Sequence, residues 1–292
     1  MGVYPFVSPP PVFYAYPNAQ TTGPAAAGFT ALTAATAATI PATAPYPPFA
    51  AVQGDGSLLV EGYSFTAGMQ ILATAPVVFR GCRLAAANPG GPALYFRGGA
   101  AKVEYCQISA ADQTAANSLE YCILSSANLT VDHCDLFWWQ DAIQADGNLT
   151  QITVTSNYIH DAVFVTGAHV DAIQTSGNES GVLIAGNAIF NPVDQTSCIA
   201  LFNDTPGTYS NVTISGNLLA GGGYCLYLAN DAGNTGITDL VVEGNQFSSV
   251  YYPEGGFFGY ATDAPAWGSD GNTWQGNYWH DGPSGGQAVP EP

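Results

Sequence analysis

The sequence predicts an all-β fold: a single-stranded, right-handed parallel β-helix of about 8–9 coils, preceded by an extended Pro/Ala-rich N-terminal arm. Three observations carry this expectation. An Asn or Cys recurs at regular intervals inside short β-prone runs, and a second set of apolar runs interleaves with the first. Between them there is no stretch with the helical patterning that a βαβ fold requires.

The first set comprises VVFRGCRL (77–84), KVEYCQI (102–108), LTVDHCDL (129–136) and ITVTSNYI (152–159), followed by VLIAGNAI (182–189), VTISGNLL (212–219), LVVEGNQF (240–247) and NTWQGNYW (272–279). Each places an apolar residue three before the Cys or Asn and another two after it. The anchors at 82, 106, 134, 157, 187, 217, 245 and 277 lie 23 to 32 residues apart. The second set comprises PALYF (92–96), SLEYC (118–122), DAIQA (141–145), DAIQT (171–175), CIALF (198–202) and CLYLA (225–229), with key apolar residues at 94, 119, 143, 173, 199 and 226. Two strands per coil, stacked at about 4.8 Å, give a rod roughly 40 Å long.

The elements divide the chain into three. Residues 1–54 carry no charged side chain and are rich in Pro, Ala and Thr, a composition that suits a linker. The aromatics Tyr4, Phe6, Phe13, Tyr14 and Tyr16 instead suit an arm packed on its own body or on a neighbouring subunit. Residues 55–282 form the β-helix, and 283–292 a C-terminal tail.

Composition narrows the partners. Four Lys+Arg stand against 22 Asp+Glu, a net charge of −18, and all four cations (Arg80, Arg83, Arg97, Lys102) fall in one window. Phosphate neutralisation needs clustered Lys or Arg, which argues against nucleic acid and against electrostatic attachment to an anionic membrane. No apolar run reaches the ~18 residues of a membrane-spanning helix, and the N-terminus lacks the basic and apolar segments of a signal peptide.

Asn157, Asn187, Asn217, Asn245 and Asn277 are expected to stack at a bend as a structural amide ladder, with Cys82, Cys106 and Cys134 continuing the same column as buried thiols. Cys198 and Cys225 align on adjacent coils; the cysteines are expected to be mostly free. His133 and His280 have no evident partner in the sequence.

The repeated D-A-I-Q core places Asp141 and Asp171 on adjacent coils, with carboxylates about 5 Å apart. Such a pair suits a retaining glycosidase, because like-charge repulsion makes one group an acid and leaves the other a base. Gln144 and Gln174 point outward beside them, with His169, His160, Asp161, Trp138 and Trp139 nearby as a rim for a sugar chain. Two other accounts stand beside this one. The two Asp with neighbouring carbonyls suit Ca²⁺, or Asp simply starts each strand because it favours turns. A β-eliminating lyase is disfavoured, since that chemistry commonly uses Lys or Arg and the cations lie about two coils before Asp171.

The stretch NLTQITVTSNYIHDAVFVTGAHVDAIQTSGNESGVLIAGNAI (148–189) resembles right-handed parallel β-helix repeat, pectin-lyase-like proteins of actinobacteria and their phages. The resemblance covers about residues 77–247. It implies a carbohydrate-facing role carried by His160, Asp161, His169, Asp171 and Gln174; the residues themselves call for no cofactor, a Ca²⁺ ion at the Asp pair aside. The N-terminal segment resembles the assembly segment of a phage minor tail or spike protein. Two functions are therefore expected. The first is a homo-oligomeric virion or extracellular surface component that binds glycans and meets other subunits through residues 1–50. The second is a polysaccharide-degrading enzyme using the Asp141/Asp171 pair.

Overall fold

The computed structural model describes residues 15–87, 91–205, 207–229 and 236–292. Tyr4, Phe6, Phe13 and Tyr14 lie outside the described residues. The chain forms a parallel β-solenoid of about eight turns. Each coil has three strands rather than two, as in Val77–Arg80, Arg83–Ala86 and Pro92–Phe96. These build three sheets, called here the first, second and third faces in chain order, of ten, ten and eight strands. What reads in sequence as one strand of the first set is two strands bent at the anchor residue. The second set is the third face.

The bend is one residue wide. Gly62, Gly81, Tyr105, His133, Ser156, Gly186, Gly216, Gly244 and Gly276, each immediately before the anchor position, all have φ between 51° and 71°. One left-handed residue turns the strand while the anchor side chain points inward. Every anchor pairs in register with the next, because Gln107 pairs with both Arg83 and Asp135, and the series continues through Tyr158, Ala188, Leu218, Gln246 and Tyr278. The flanking apolar columns fill the rod. Val103, Val131, Val154, Ile184, Ile214 and Val242 line one side, with Ile108, Leu136, Ile159, Ile189, Leu219 and Phe247 on the other, all buried.

The asparagines form a continuous hydrogen-bonded ladder. Asn157 N–H and Nδ2 both donate to Asn187 Oδ1 at 2.9 Å, and Nδ2 also donates to Val131 O. Asn187, Asn217 and Asn245 repeat the pattern up to Asn277. Cys134 N–H starts the ladder on Asn157 Oδ1, and below it Cys82 N–H meets Cys106 Sγ at 3.4 Å. All six cysteines are buried and free, Cys198 and Cys225 included.

Both ends are covered. Ala51–Val52 pairs antiparallel with Leu58–Leu59, and Ile40 bridges Ile71 at the first coil. Val289 lies buried over the last coil, its N–H on Asn277 O and its carbonyl accepting from Trp274 Nε1. Residues 15–50 lie against the rod itself. Tyr16 meets the His280 ring edge-on at 6.1 Å, Gly23 N–H donates to His133 O, and Thr33 N–H to Gly62 O. The segment thus runs back along the left-handed corner towards the first coil. No helix among the described residues is long and apolar enough to cross a membrane.

Phe29 sits on the corner glycines. A Cβ on Gly81 would fall 2.2 Å from the Phe29 ring, whereas one on Gly244 would have 3.9 Å to its nearest neighbour. Both residues have positive φ, so both Ala variants incur about 1–2 kcal/mol of backbone strain. Only Gly81→Ala is expected to lift the arm, seen as faster chymotryptic cleavage at Phe29. Equal cleavage in the two variants would contradict the packing.

Candidate functional site

The third face carries the D-A-I-Q motifs. Ile143 pairs with Ile173 and Gln144 with Gln174, so Asp141 and Asp171 occupy equivalent places on adjacent coils, as their spacing requires. They differ in surroundings. Asp141 is 7% exposed and lines a cleft of about 470 Å³, together with Glu120, Gln140, Gln144, His169 and Gln174. Asp171 is 0% exposed and does not line it. Its backbone N–H donates to Asp141 Oδ1 at 2.8 Å, and its own Oδ1 accepts from Ser197 Oγ, while Oδ2 has no hydrogen-bond partner. The expected pair of facing carboxylates is therefore one cleft carboxyl and one buried beneath the surface. A substrate atom reaches only Asp141.

Burial, reinforced by Asp171, pushes the Asp141 carboxyl up to about 8. Burial pushes Asp171 up to about 7, against the pull of the Ser197 and Thr196 hydroxyls. A third buried carboxyl, Glu179, accepts from Gly177 N–H at 2.7 Å and is pushed up to about 7, again mainly by burial. Asp146, holding Gln144 Nε2 at 2.7 Å and the Ser176 hydroxyl, is also raised by burial. At neutral pH the cleft carboxyl of Asp141 is thus mostly protonated, and donates as well as accepts hydrogen bonds.

The remaining expected residues divide between places. His169 and both glutamines belong to the cleft. Trp139 does not: it is 0% exposed, with its Nε1–H on Leu136 O, and is a core residue rather than a sugar platform. Trp138, half-buried at the left-handed corner before that strand, packs edge-on against Phe137 at 4.9 Å. His160 and Asp161 lie on and beside the second face. There His160 Nε2 meets Asp135 Oδ1 at 3.0 Å and Nδ1 meets Asp161 Oδ2 at 2.9 Å. Its ring stacks on Tyr158 at 4.0 Å, and Gln107 Nε2 holds the other oxygen of Asp135. This is a separate constellation. His133 and His280 do have partners, namely Tyr105 and Asp132 for His133, and Gln246 and Tyr16 for His280.

Glu120, Tyr121 and Gln140 escaped the sequence reading because of one register error. Leu119 pairs with Trp139, and it is Ile123 that stacks between Leu94 and Ile143. The strand Leu119–Ser125 is seven residues long and turns Leu119 and Ile123, two apolar residues four apart, both into the core. With the true register, Tyr121 sits beside Asp141.

Among the described residues no group of three or more His, Cys, Asp or Glu is gathered to hold a metal ion. A calcium site wants six to eight oxygens, and here an N–H already occupies Asp141 Oδ1. The four cations lie elsewhere. Arg80 and Lys102 bind Glu104 on the first face, Arg83 is on the second, and Arg97 stacks over Tyr95 two coils before Gln144.

No protein-family model, curated protein or solved structure matches this chain.

Proposed function

We propose that the protein is a rod-shaped virion or extracellular surface component that contacts carbohydrate through the third-face cleft. The observation that carries this is the lining of the cleft: three side-chain amides, a histidine and a protonated carboxyl converge on one concave surface of about 470 Å³. Amides and protonated carboxyls each donate and accept, which is what sugar hydroxyls require. The resemblance of 148–189 to β-helix repeat proteins of actinobacteria and phages supports the same role. Residues 15–50 already lie on the rod, so a neighbouring subunit would meet the outer side of the arm rather than replace it. Sedimentation of the purified chain tests the oligomer.

Gln144→Ala is expected to weaken oligosaccharide binding about tenfold, the equivalent of about 1.4 kcal/mol, with the far-UV circular dichroism unchanged. Unaltered affinity in that variant would rule out the cleft as the binding site.

One observation favours a second, enzymatic reading. Asp141 is a protonated acid facing the cleft, with Glu120 as a second carboxyl on the same lining. A glycosidase built here would use Asp141 as general acid. Asp141→Asn would then abolish reducing-end release from a glycan while leaving binding intact. Release that survives the substitution removes this reading.

A further inference from the structure

Building on the carbohydrate reading of the cleft, we infer that the site extends as a strip of aromatic rings along the rod and takes a linear, uncharged glycan rather than a polyuronate. The strip begins inside the cleft. His169 meets Phe202 at 6.4 Å between ring centroids, Phe202 meets Tyr227 at 5.5 Å, and Tyr227 meets Tyr224 at 5.6 Å. Tyr224 then meets Phe258 at 5.7 Å, and Phe258 meets Phe257 at 4.8 Å. His169, Phe202, the Tyr224/Tyr227 pair and the Phe257/Phe258 pair belong to four successive coils. Gln174 pairs with Ala200 and Ala200 with Tyr227, while Tyr224 pairs with Gly259 of the next strand. The rings therefore follow the axis of the rod, at about 4.8 Å per coil. That interval is close to the length of one pyranose residue, so consecutive sugars meet the rings of consecutive coils.

The far end is open. Phe257 is 52% and Phe258 60% exposed, although large apolar side chains are ordinarily withdrawn from water. Mutual packing, edge-to-face except for the tilted Tyr224–Phe258 pair, fixes these rings at little entropic cost and presents them to the C–H faces of sugars. Charge selects the ligand. No cation lines the cleft, and Glu120, Asp141 and Asp146 lie in or beside it. A uronic acid chain would find no Lys or Arg there to neutralise it, on a chain whose net charge is already −18. A second copy of the chain is disfavoured on the same ground, since it brings its own net charge of −18.

The test is titration calorimetry with neutral gluco- and xylo-oligosaccharides of two to six residues, and with oligogalacturonates of the same lengths. Affinity is expected to rise with length for a neutral series and to be absent for the uronates. Phe258→Ala, a change at an exposed position, should lower hexasaccharide affinity about tenfold while leaving disaccharide affinity unchanged. Gln144→Ala should weaken both. Binding that stops growing at two or three residues, or that ignores Phe258→Ala while still lost in Gln144→Ala, would overturn the strip and leave the cleft standing. Preference for the uronates would overturn the charge selection. Absence of binding to either series would overturn both the strip and the carbohydrate reading.

Discussion

Asn217→Ala is expected to destabilise the rod by about 4 kcal/mol, among the largest effects of any single substitution outside the apolar core. The side chain makes four hydrogen bonds: Oδ1 accepts from Asn187 N–H and Nδ2, and Nδ2 donates to Ile184 O and Asn245 Oδ1. Every one of these residues is buried. Truncation leaves the Asn187 backbone N–H and one of its two Nδ2 hydrogens without an acceptor, at about 1–3 kcal/mol for each orphaned group. Asn217→Asp is nearly isosteric and would be worse. It keeps the acceptor but aims a carboxylate at Ile184 O and Asn245 Oδ1, which offer no proton. Asn217→Cys should do better than either, because the same column already holds Cys82, Cys106 and Cys134, with a backbone N–H meeting a thiol sulfur. Urea denaturation of the three variants gives the order. If Ala and Asp matched the natural protein, the ladder would be no more than a by-product of the turn.

The second large effect is a loss of stability as pH rises. In an unfolded chain Asp and Glu titrate near 4. In the rod, Asp141 titrates at about 8, and Asp171 and Glu179 at about 7, chiefly because burial penalises their charged forms. Between about pH 4 and pH 8 the folded protein therefore binds more protons than the unfolded one. Stability falls with rising pH across that window and levels off above it. A single group shifted by about three units accounts for about 4 kcal/mol at the alkaline end, equivalent to roughly 5–10 °C in Tm for a chain of this size. Asp171 Oδ2 and Glu179 Oε1, both without hydrogen-bond partners, give the penalty a structural origin. The remaining excess of acidic over basic side chains pushes in the same direction, so a variant separates the two causes. Asp141→Asn with Asp171→Asn keeps acceptors for the Asp171 N–H and the Ser197 hydroxyl, and should flatten much of the slope between pH 5 and pH 8.5. An unchanged slope would assign the effect to surface charge instead.

The rod was legible in the sequence because its repeat is enforced by chemistry at one point per coil. A buried anchor that must pair with its neighbour above admits few side chains, so Asn and Cys recur and the spacing can be read. The flanking residues at −3 and +2 are apolar for the same reason, and their burial follows. The third strand per coil was not legible. A bend at the asparagine column is expected from the sequence, but the corner is a single left-handed residue, so its two arms count as one strand until φ is known.

The site was legible only in part. Asp141, Gln144, His169 and Gln174 come together because D-A-I-Q repeats in step with the coil. Trp139 was misread because pairing SLEYC through Leu119 rather than Ile123 hid its true neighbour. Leu119 and Trp139 are adjacent core residues, and that pairing alone would have withdrawn the tryptophan from the surface. Depth was also invisible: identical motifs put one aspartate at the edge of a cleft and the other, hydrogen-bonded by Ser197, fully out of reach of solvent. His160 is near the cleft in sequence but on another face in space. Period-two alternation cannot distinguish faces that share the same outward pattern.

The most direct test of the carbohydrate cleft is amide hydrogen exchange with and without a bound neutral hexasaccharide. Protection is expected in 138–145, 165–174 and 224–228, all on or against the third face. The second-face strand carrying His160 and the corner under Tyr16 should be unaffected. Protection centred on either of those places, or spread evenly over the rod, would contradict the assignment of the third face as the functional surface.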